Sequence, residues 1–304
     1  MTKLDAEHER LTRELRNFQD IAEYLVADAE ELPQVPGFDI CGITLPLSGV
    51  VGGDHIIYLD FSKRFDIEAR IRRAERQSAA QLAANLKACR NTAGIVILDV
   101  SGHHVTDALL AAMLHQAFLL GALYELDATG RITRKLFENL NTRFYNSSGP
   151  EKFITMIYGE ILEGARFRFI SAGHPAPLVF SDEHDRLMPI DAGAYASCLP
   201  LGLMPSPDDI DRDSLPTDRF KEKYETNEWV LMGEGDMLLL YTDGLLDLGE
   251  EPTGAEAVER VLRECKRLSA REIVDRLAEH VRTRGPQRDD VTFVIIKRVP
   301  GGFD

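Results

Sequence analysis

The 304-residue chain opens on a narrow apolar stripe. Leu4, His8, Leu11, Leu15, Phe18, Ala22, Leu25, Ala29 and Leu32 recur at alternating spacings of four and three, which is a heptad seam. Such a helix, covering residues 1–32, must lie against another helix of this chain or of a second copy. Pro33 and Pro36-Gly37 end it, because proline lacks a donor and disfavours helical geometry in the residue before it. Strands are predicted over Phe38 to Leu45 and Asp54 to Phe61, with a glycine-bearing turn from Gly49 to Gly53 between them. Asp66 to Arg90 has neither proline nor glycine and places Ile67, Ile71, Ala74, Ser78, Leu82, Leu86 and Cys89 at helical spacing, so one continuous amphipathic helix is predicted there. Ile95 to Val100 reads as a buried strand, Ala108 to Leu126 as a helix apolar nearly all round and therefore of the core, and Thr133 to Phe144 as a further helix.

Beyond residue 150 the period becomes two. Phe153 to Leu162 and Arg166 to Ile170 flank Glu163-Gly164 as a hairpin, and Pro177 to Phe180, Trp229 to Met232 and Met237 to Tyr241 are further strands. A proline- and aspartate-rich loop region separates the first two of these. Helices from Gly254 to Lys266 and Ser269 to Arg284 precede a last strand, Val291 to Lys297. Strands and helices come in blocks, which points to α+β layers rather than a doubly wound parallel sheet.

Composition narrows the classes. With 44% hydrophobic and 28% charged residues the chain is that of a globular protein, and 50 acidic against 35 basic residues give a formal charge of −15. That charge repels a phosphate backbone, so nucleic acid is not an expected partner. Cys41, Cys89, Cys198 and Cys265 lie far apart with no C-x-x-C pair, and are expected as reduced, mostly buried thiols. The N-terminus lacks the basic start and apolar run of a signal peptide, and no stretch reads as a membrane span, so a cytoplasmic location is expected.

Candidate chemistry lies in aspartates at strand ends. Asp54 follows Gly52-Gly53, Asp99 sits near the end of an apolar run, Asp243 ends another at Thr-Asp-Gly, and Asp289-Asp290 precedes the final strand. One aspartate beside glycine is usually a turn former. Four that converged would repel one another unless cations neutralised them, and hard divalent ions such as Mg²⁺ or Mn²⁺ take such oxygen ligands.

Several motifs then occur in a telling order. Val51-Gly52-Gly53-Asp54, Asp99-Val100-Ser101-Gly102-His103, Ser171-Ala172-Gly173-His174-Pro175-Ala176-Pro177, Leu199-Pro200-Leu201-Gly202, Gly235-Asp236, Tyr241-Thr242-Asp243-Gly244 and Asp289-Asp290-Val291-Thr292 resemble, in sequence, the motifs of the PPM metal-dependent protein phosphatases. The bacterial SpoIIE/RsbU-like branch fits best, over about residues 35 to 298. The resemblance implies a four-layer αββα sandwich of two central antiparallel sheets, with two Mn²⁺ or Mg²⁺ ions at one edge. It also implies hydrolysis of phosphoserine or phosphothreonine on a protein, by attack of a hydroxide that bridges the metals. Carried over, Asp54, Asp99, Asp243 and Asp289 would hold the metals, Val100 would offer its backbone carbonyl, and Asp290 matches a neighbour that is less often a ligand. His103 is the candidate general acid, although a histidine in a Gly-His turn is as often a loop anchor; His174 reads as structural. The branch commonly has a small residue where His104 stands, and the 66–90 helix replaces a short hairpin. The substrate implied for the branch is a phosphorylated anti-anti-sigma protein of the STAS type, in partner-switching signalling.

Two alternatives stay open: a pseudophosphatase that scaffolds partners through its N-terminal helix, and an enzyme for small phosphoesters. Charge adds one expectation. Residues 1–31 carry four basic and nine acidic groups, residues 62–90 eight basic and three acidic, so the two segments are complementary and should pair within a chain or across a homodimer.

Overall fold

The computed structural model describes residues 3–23, 31–48, 51–102, 105–145, 152–190, 193, 195–209, 217–230, 233–247 and 254–300. Its strands are apolar on both faces, so each sheet needs a cover on both sides. One sheet has the order β1 (Phe38–Leu45), β11 (Val291–Arg298), β10 (Met237–Tyr241), β6 (Leu178–Ser181) and β7 (Arg186–Met188), antiparallel throughout. The other joins β2 (His55–Asp60), β3 (Ala93–Val100), β4 (Ile154–Leu162) and β5 (Arg166–Ala172) antiparallel. At its edge the short β8 (Ser197–Cys198) runs parallel to β5, and β9 (Asn227–Val230) pairs β5 antiparallel. The four main strands of the second sheet are antiparallel, as expected, and β8 adds one short parallel strand at its edge.

Alternation along the strands builds the layers. In β11, Val294 and Ile296 join Ile40, Ile95, Ile97, Ile157 and Leu238 between the sheets, whereas Phe293 and Ile295 turn to the helices α7 (Gly254–Cys265) and α8 (Ala270–Thr283). On the far side, Ile57, Leu59, Val96, Leu98 and Met156 meet the remaining helices. The result is the four-layer αββα sandwich.

The helices differ from expectation in three places. Asp60 caps a short α2 (Phe61–Arg64) by accepting from the Lys63 amide, 3.1 Å, and Asp66 caps α3 (Ile67–Arg76) through the Ala69 amide, 2.8 Å. The 66–90 segment is not one helix. Ser78 adopts a left-handed φ of 55° and the chain restarts as α4 (Ala80–Ala88), so that Ile71 and Ala74 of one piece and Ala83 and Leu86 of the other reach the same core.

The helix α5 (Val105–Thr129) buries only one side. Ala108, Ala111, Leu114, Phe118, Ala122 and Leu126 pack on the sheet, while Leu109, Met113, Leu120 and Tyr124 are exposed. By length and composition its residues 106–129 are long and apolar enough to cross a membrane, and a third of the most apolar stretch is buried. The expectation that no stretch would do so is corrected to that extent; the buried Asp107, His115 and Glu125 mark a helix built to lie on protein. α6 (Arg134–Tyr145) follows it. The N-terminal helix is described as α1 (Lys3–Glu23), with Leu11 and Ile21 of its surface exposed. Among the described residues α1 lies against α5, and beyond its end Glu31 pairs with Arg64 at 3.5 Å, an ion pair between the acidic N-terminal segment and the basic 62–90 segment of the same chain. Of the rest of the heptad seam, Leu25 and Ala29 lie outside the described residues, and Leu32 packs half-buried on the core between the sheets.

Candidate metal centre

The two sheets end together where β2, β3, β10 and β11 begin or stop. His55 pairs with Leu98 and Tyr241 with Phe293, which brings Asp54, Asp99, Asp243 and Asp289 to one edge. Asp243 opens a single 3-10 turn, Asp243–Leu245. Glycine shapes the turn before Asp54. A Cβ on Gly52 would overlap the Asp290 carboxylate, and one on Gly53 would stand 2.7 Å from the Gly102 carbonyl oxygen and 3.0 Å from that of Val100. The Gly53–Asp54 turn and the Val100–Gly102 turn thus pack back to back.

The acids lie close enough for their charges to act on one another. Asp54 is 4% exposed, and burial first, then the Asp99 charge, push its carboxyl well above the usual range. Burial, with the nearby Asp243 and Asp289 charges, raises Asp99 to about 8. Asp243 is raised by burial and by Asp289. Thr242 joins the sheets here: its hydroxyl donates to Asp54 Oδ2 (2.7 Å) and accepts from the Thr292 amide (2.9 Å).

Asp290 has another task. Its Oδ1 accepts from the Leu47 amide and its Oδ2 from the Gly53 amide, each at 2.7 Å, so it ties the glycine turn to the end of β1. Asp289 is exposed and receives the Asp290 amide at 2.8 Å. Among the described residues no three His, Cys, Asp or Glu side chains already form a finished cage for a metal ion. Repelling carboxylates hold each other apart, and a hard cation is the group that such a donor set fits.

His103 lies outside the described residues. His174 is buried, with Nδ1 3.0 Å from the Thr155 hydroxyl and its carbonyl accepting from Tyr195 (2.7 Å); burial pushes its pKa down to about 3. These contacts tie the loop after β5 to Thr155 of β4 and to Tyr195. Pro200 stands against Gly173, and Leu201 exchanges two backbone hydrogen bonds with Ile154, so the motifs around 173 and 200 form one wall.

A family model, Stage II sporulation protein E (SpoIIE), matches residues 90–299. The chain belongs to this family. It is 25% identical over 207 residues to the phosphoserine phosphatase RsbP of Bacillus subtilis, an alignment covering 67% of this chain and 45% of that protein. The chain therefore matches less than half the length of that relative. Among solved structures, the SiaA-PP2C domain of Pseudomonas aeruginosa superposes with a TM-score of 0.62 at 16% identity, covering 97% of this chain and 99% of that one. The RsbU and RsbW domains of Rv1364c from Mycobacterium tuberculosis give 0.59 at 22%, covering 88% and 62%. These likenesses show a shared fold. Asp54 lies before the matched segment, and the fold returns it to the other three aspartates.

Sequence reasoning missed Thr242, the bonds made by Asp290, and the ion pair of the buried Asp107 with Lys152. Thr242 sits inside a quoted motif and could have been read; the other contacts span long separations that no local pattern encodes.

Proposed function

We propose that the chain is a metal-dependent serine/threonine protein phosphatase of the SpoIIE/RsbU kind. The observation that carries this reading is the meeting of four carboxylates from both sheets at one edge, with the pKa of Asp54, Asp99 and Asp243 raised there. Asp54, Asp99, Asp243 and Asp289, with the Val100 carbonyl, would hold two Mn²⁺ or Mg²⁺ ions. Such ions, when bound, supply an activated water and offset the charge of the phosphoryl group. The chain's own residues do the positioning. Thr242 orients Asp54 by its hydrogen bond, Asp290 fixes the Gly52–Gly53 turn, and no cysteine or serine nucleophile is called for. His103 remains the candidate general acid.

The substrate in this reading is a phosphorylated STAS-type protein, the phosphatase domain spans residues 35–298, and the free thiols at Cys41, Cys89, Cys198 and Cys265 suit a cytoplasmic location. A homodimer belongs to the same proposal. The exposed Leu109, Met113, Leu120 and Tyr124 of α5, next to the exposed Leu11 and Ile21 of α1, form an apolar surface that a second copy would cover. The acidic residues 1–31 of one copy would then lie near the basic residues 62–90 of the other.

The test is release of phosphate from an aryl phosphate and from a phosphoserine STAS protein, each with and without Mn²⁺. Mn²⁺-dependent turnover of the protein substrate supports the proposal. Turnover of neither makes the chain a scaffold, and turnover of the aryl ester alone makes it an enzyme for small phosphoesters.

A further inference from the structure

Ser101, two residues after Asp99, is held from three directions. Its amide donates to the Phe153 carbonyl at 3.0 Å, its hydroxyl accepts from the Phe153 amide at 3.1 Å, and its carbonyl accepts from Lys152 Nζ at 2.7 Å. The same ammonium pairs with Asp107 Oδ1 at 2.6 Å. Asp107 is on the first turn of α5 and is fully buried, whereas the Lys152 side chain is one-third exposed. The turn between them is tight. Gly102 has a φ of 112°, and a Cβ there would stand 2.6 Å from Asp107 Oδ2 and 2.8 Å from Lys152 Nζ.

An aspartate buried beside a group of repelling carboxylates is costly unless a cation accompanies it. Asp107 indeed adds to the charges that raise Asp99. Lys152 neutralises it and also donates to the backbone of the turn through the Ser101 carbonyl. α5, β4 and the end of β3 are thereby joined at one ammonium.

We propose that Lys152 and Asp107 form a clamp on the Val100–Gly102 turn, which sets the Val100 carbonyl and the Asp99 carboxylate for the metal ions. Both are positioning residues, and neither is a metal ligand or a contact to the phosphate. The inference rests on the metal reading above.

The experiment uses the full chain with Lys152→Met, Asp107→Asn, the double variant and Lys152→Arg. Mn²⁺ binding is measured by electron paramagnetic resonance without substrate, and amide exchange is followed at Ser101 and Gly102. Each single loss should weaken Mn²⁺ binding about tenfold or more. The double variant should be no worse than the poorer single one, because both remove the same clamp. Exchange at Ser101 and Gly102 should quicken in step, Lys152→Arg should recover part of the affinity, and excess Mn²⁺ should restore kcat with substrate KM unchanged. If Lys152→Met does not fold, Asp107→Asn, which keeps the shape of the side chain, carries the test. Mn²⁺ affinity and exchange both within twofold of wild type would overturn the clamp. So would a raised substrate KM at saturating Mn²⁺ with metal affinity intact, which would make Lys152 a phosphate contact. A wild-type chain that binds no Mn²⁺, with exchange still quickened in the variants, would sink the metal reading and leave the clamp standing as a purely conformational one.

Discussion

Asp99 keeps its proton to about pH 8 because burial and the charges of Asp243 and Asp289 disfavour its carboxylate. An unfolded aspartate titrates near 4. The folded value is the higher, so this group stabilises the metal-free protein most fully below about pH 4 and loses that contribution as pH rises towards 8. Melting of chelator-treated protein should therefore fall in temperature from pH 5 to pH 9. Asp99→Asn should flatten the fall, and so should Mn²⁺; a melting profile level with pH in the chelated wild type would contradict the electrostatics. Asp54→Asn, Asp99→Asn, Asp243→Asn and Asp289→Asn should each lower Mn²⁺-dependent kcat/KM by on the order of a hundredfold or more, since each removes a full charge from the donor set. Full activity of any two at saturating Mn²⁺ would refute the assignment. These four aspartates were legible because each stands at a strand end: Asp54 follows Gly53 before β2, Asp99 is the last but one residue of β3, Asp243 lies between Thr242 and Gly244 after β10, and Asp289 with Asp290 precedes β11. The Asp290 bonds to Leu47 and Gly53 were not, because they join positions 243 and 237 residues apart.

At the scale of elements, the segment 66–90 shows where periodicity stops informing. Its apolar positions follow helical spacing through Ser78, yet the chain breaks there and the two halves fold onto one core. The pattern reports which side is apolar; it does not report that the chain turns at Ser78 so that both halves reach one core. Because Ser78 holds a left-handed φ, Ser78→Gly should raise stability by about 1 kcal/mol, measured by urea unfolding with the slope unchanged. A destabilised variant would show that the Ser78 side chain supports the break. The α5 helix teaches the converse. Its uniform apolarity suggested full burial, but only the face carrying Leu114, Phe118 and Ala122 meets the sheet.

For the whole molecule, α+β layers were readable from block order and alternation and the two-sheet sandwich from the family resemblance, while the parallel β8 was too short to read. How copies associate depends on surfaces rather than on the core. Leu120→Glu with Tyr124→Glu places charges on exposed positions, so the fold should persist while a dimer seen by sedimentation becomes a monomer. Deleting residues 1–31 should do the same, and an unchanged assembly in both variants would remove α1 and α5 from the interface. Separately from assembly, the account stands on one edge of the sandwich acting as a metal-dependent phosphatase. The most direct measurement is release of phosphate from a phosphoserine protein by wild type and Asp99→Asn across a Mn²⁺ titration. The account predicts turnover that rises with Mn²⁺ in the wild type and is abolished by chelator, with the variant near background throughout. Equal turnover by the two proteins, or turnover indifferent to chelator, would contradict it.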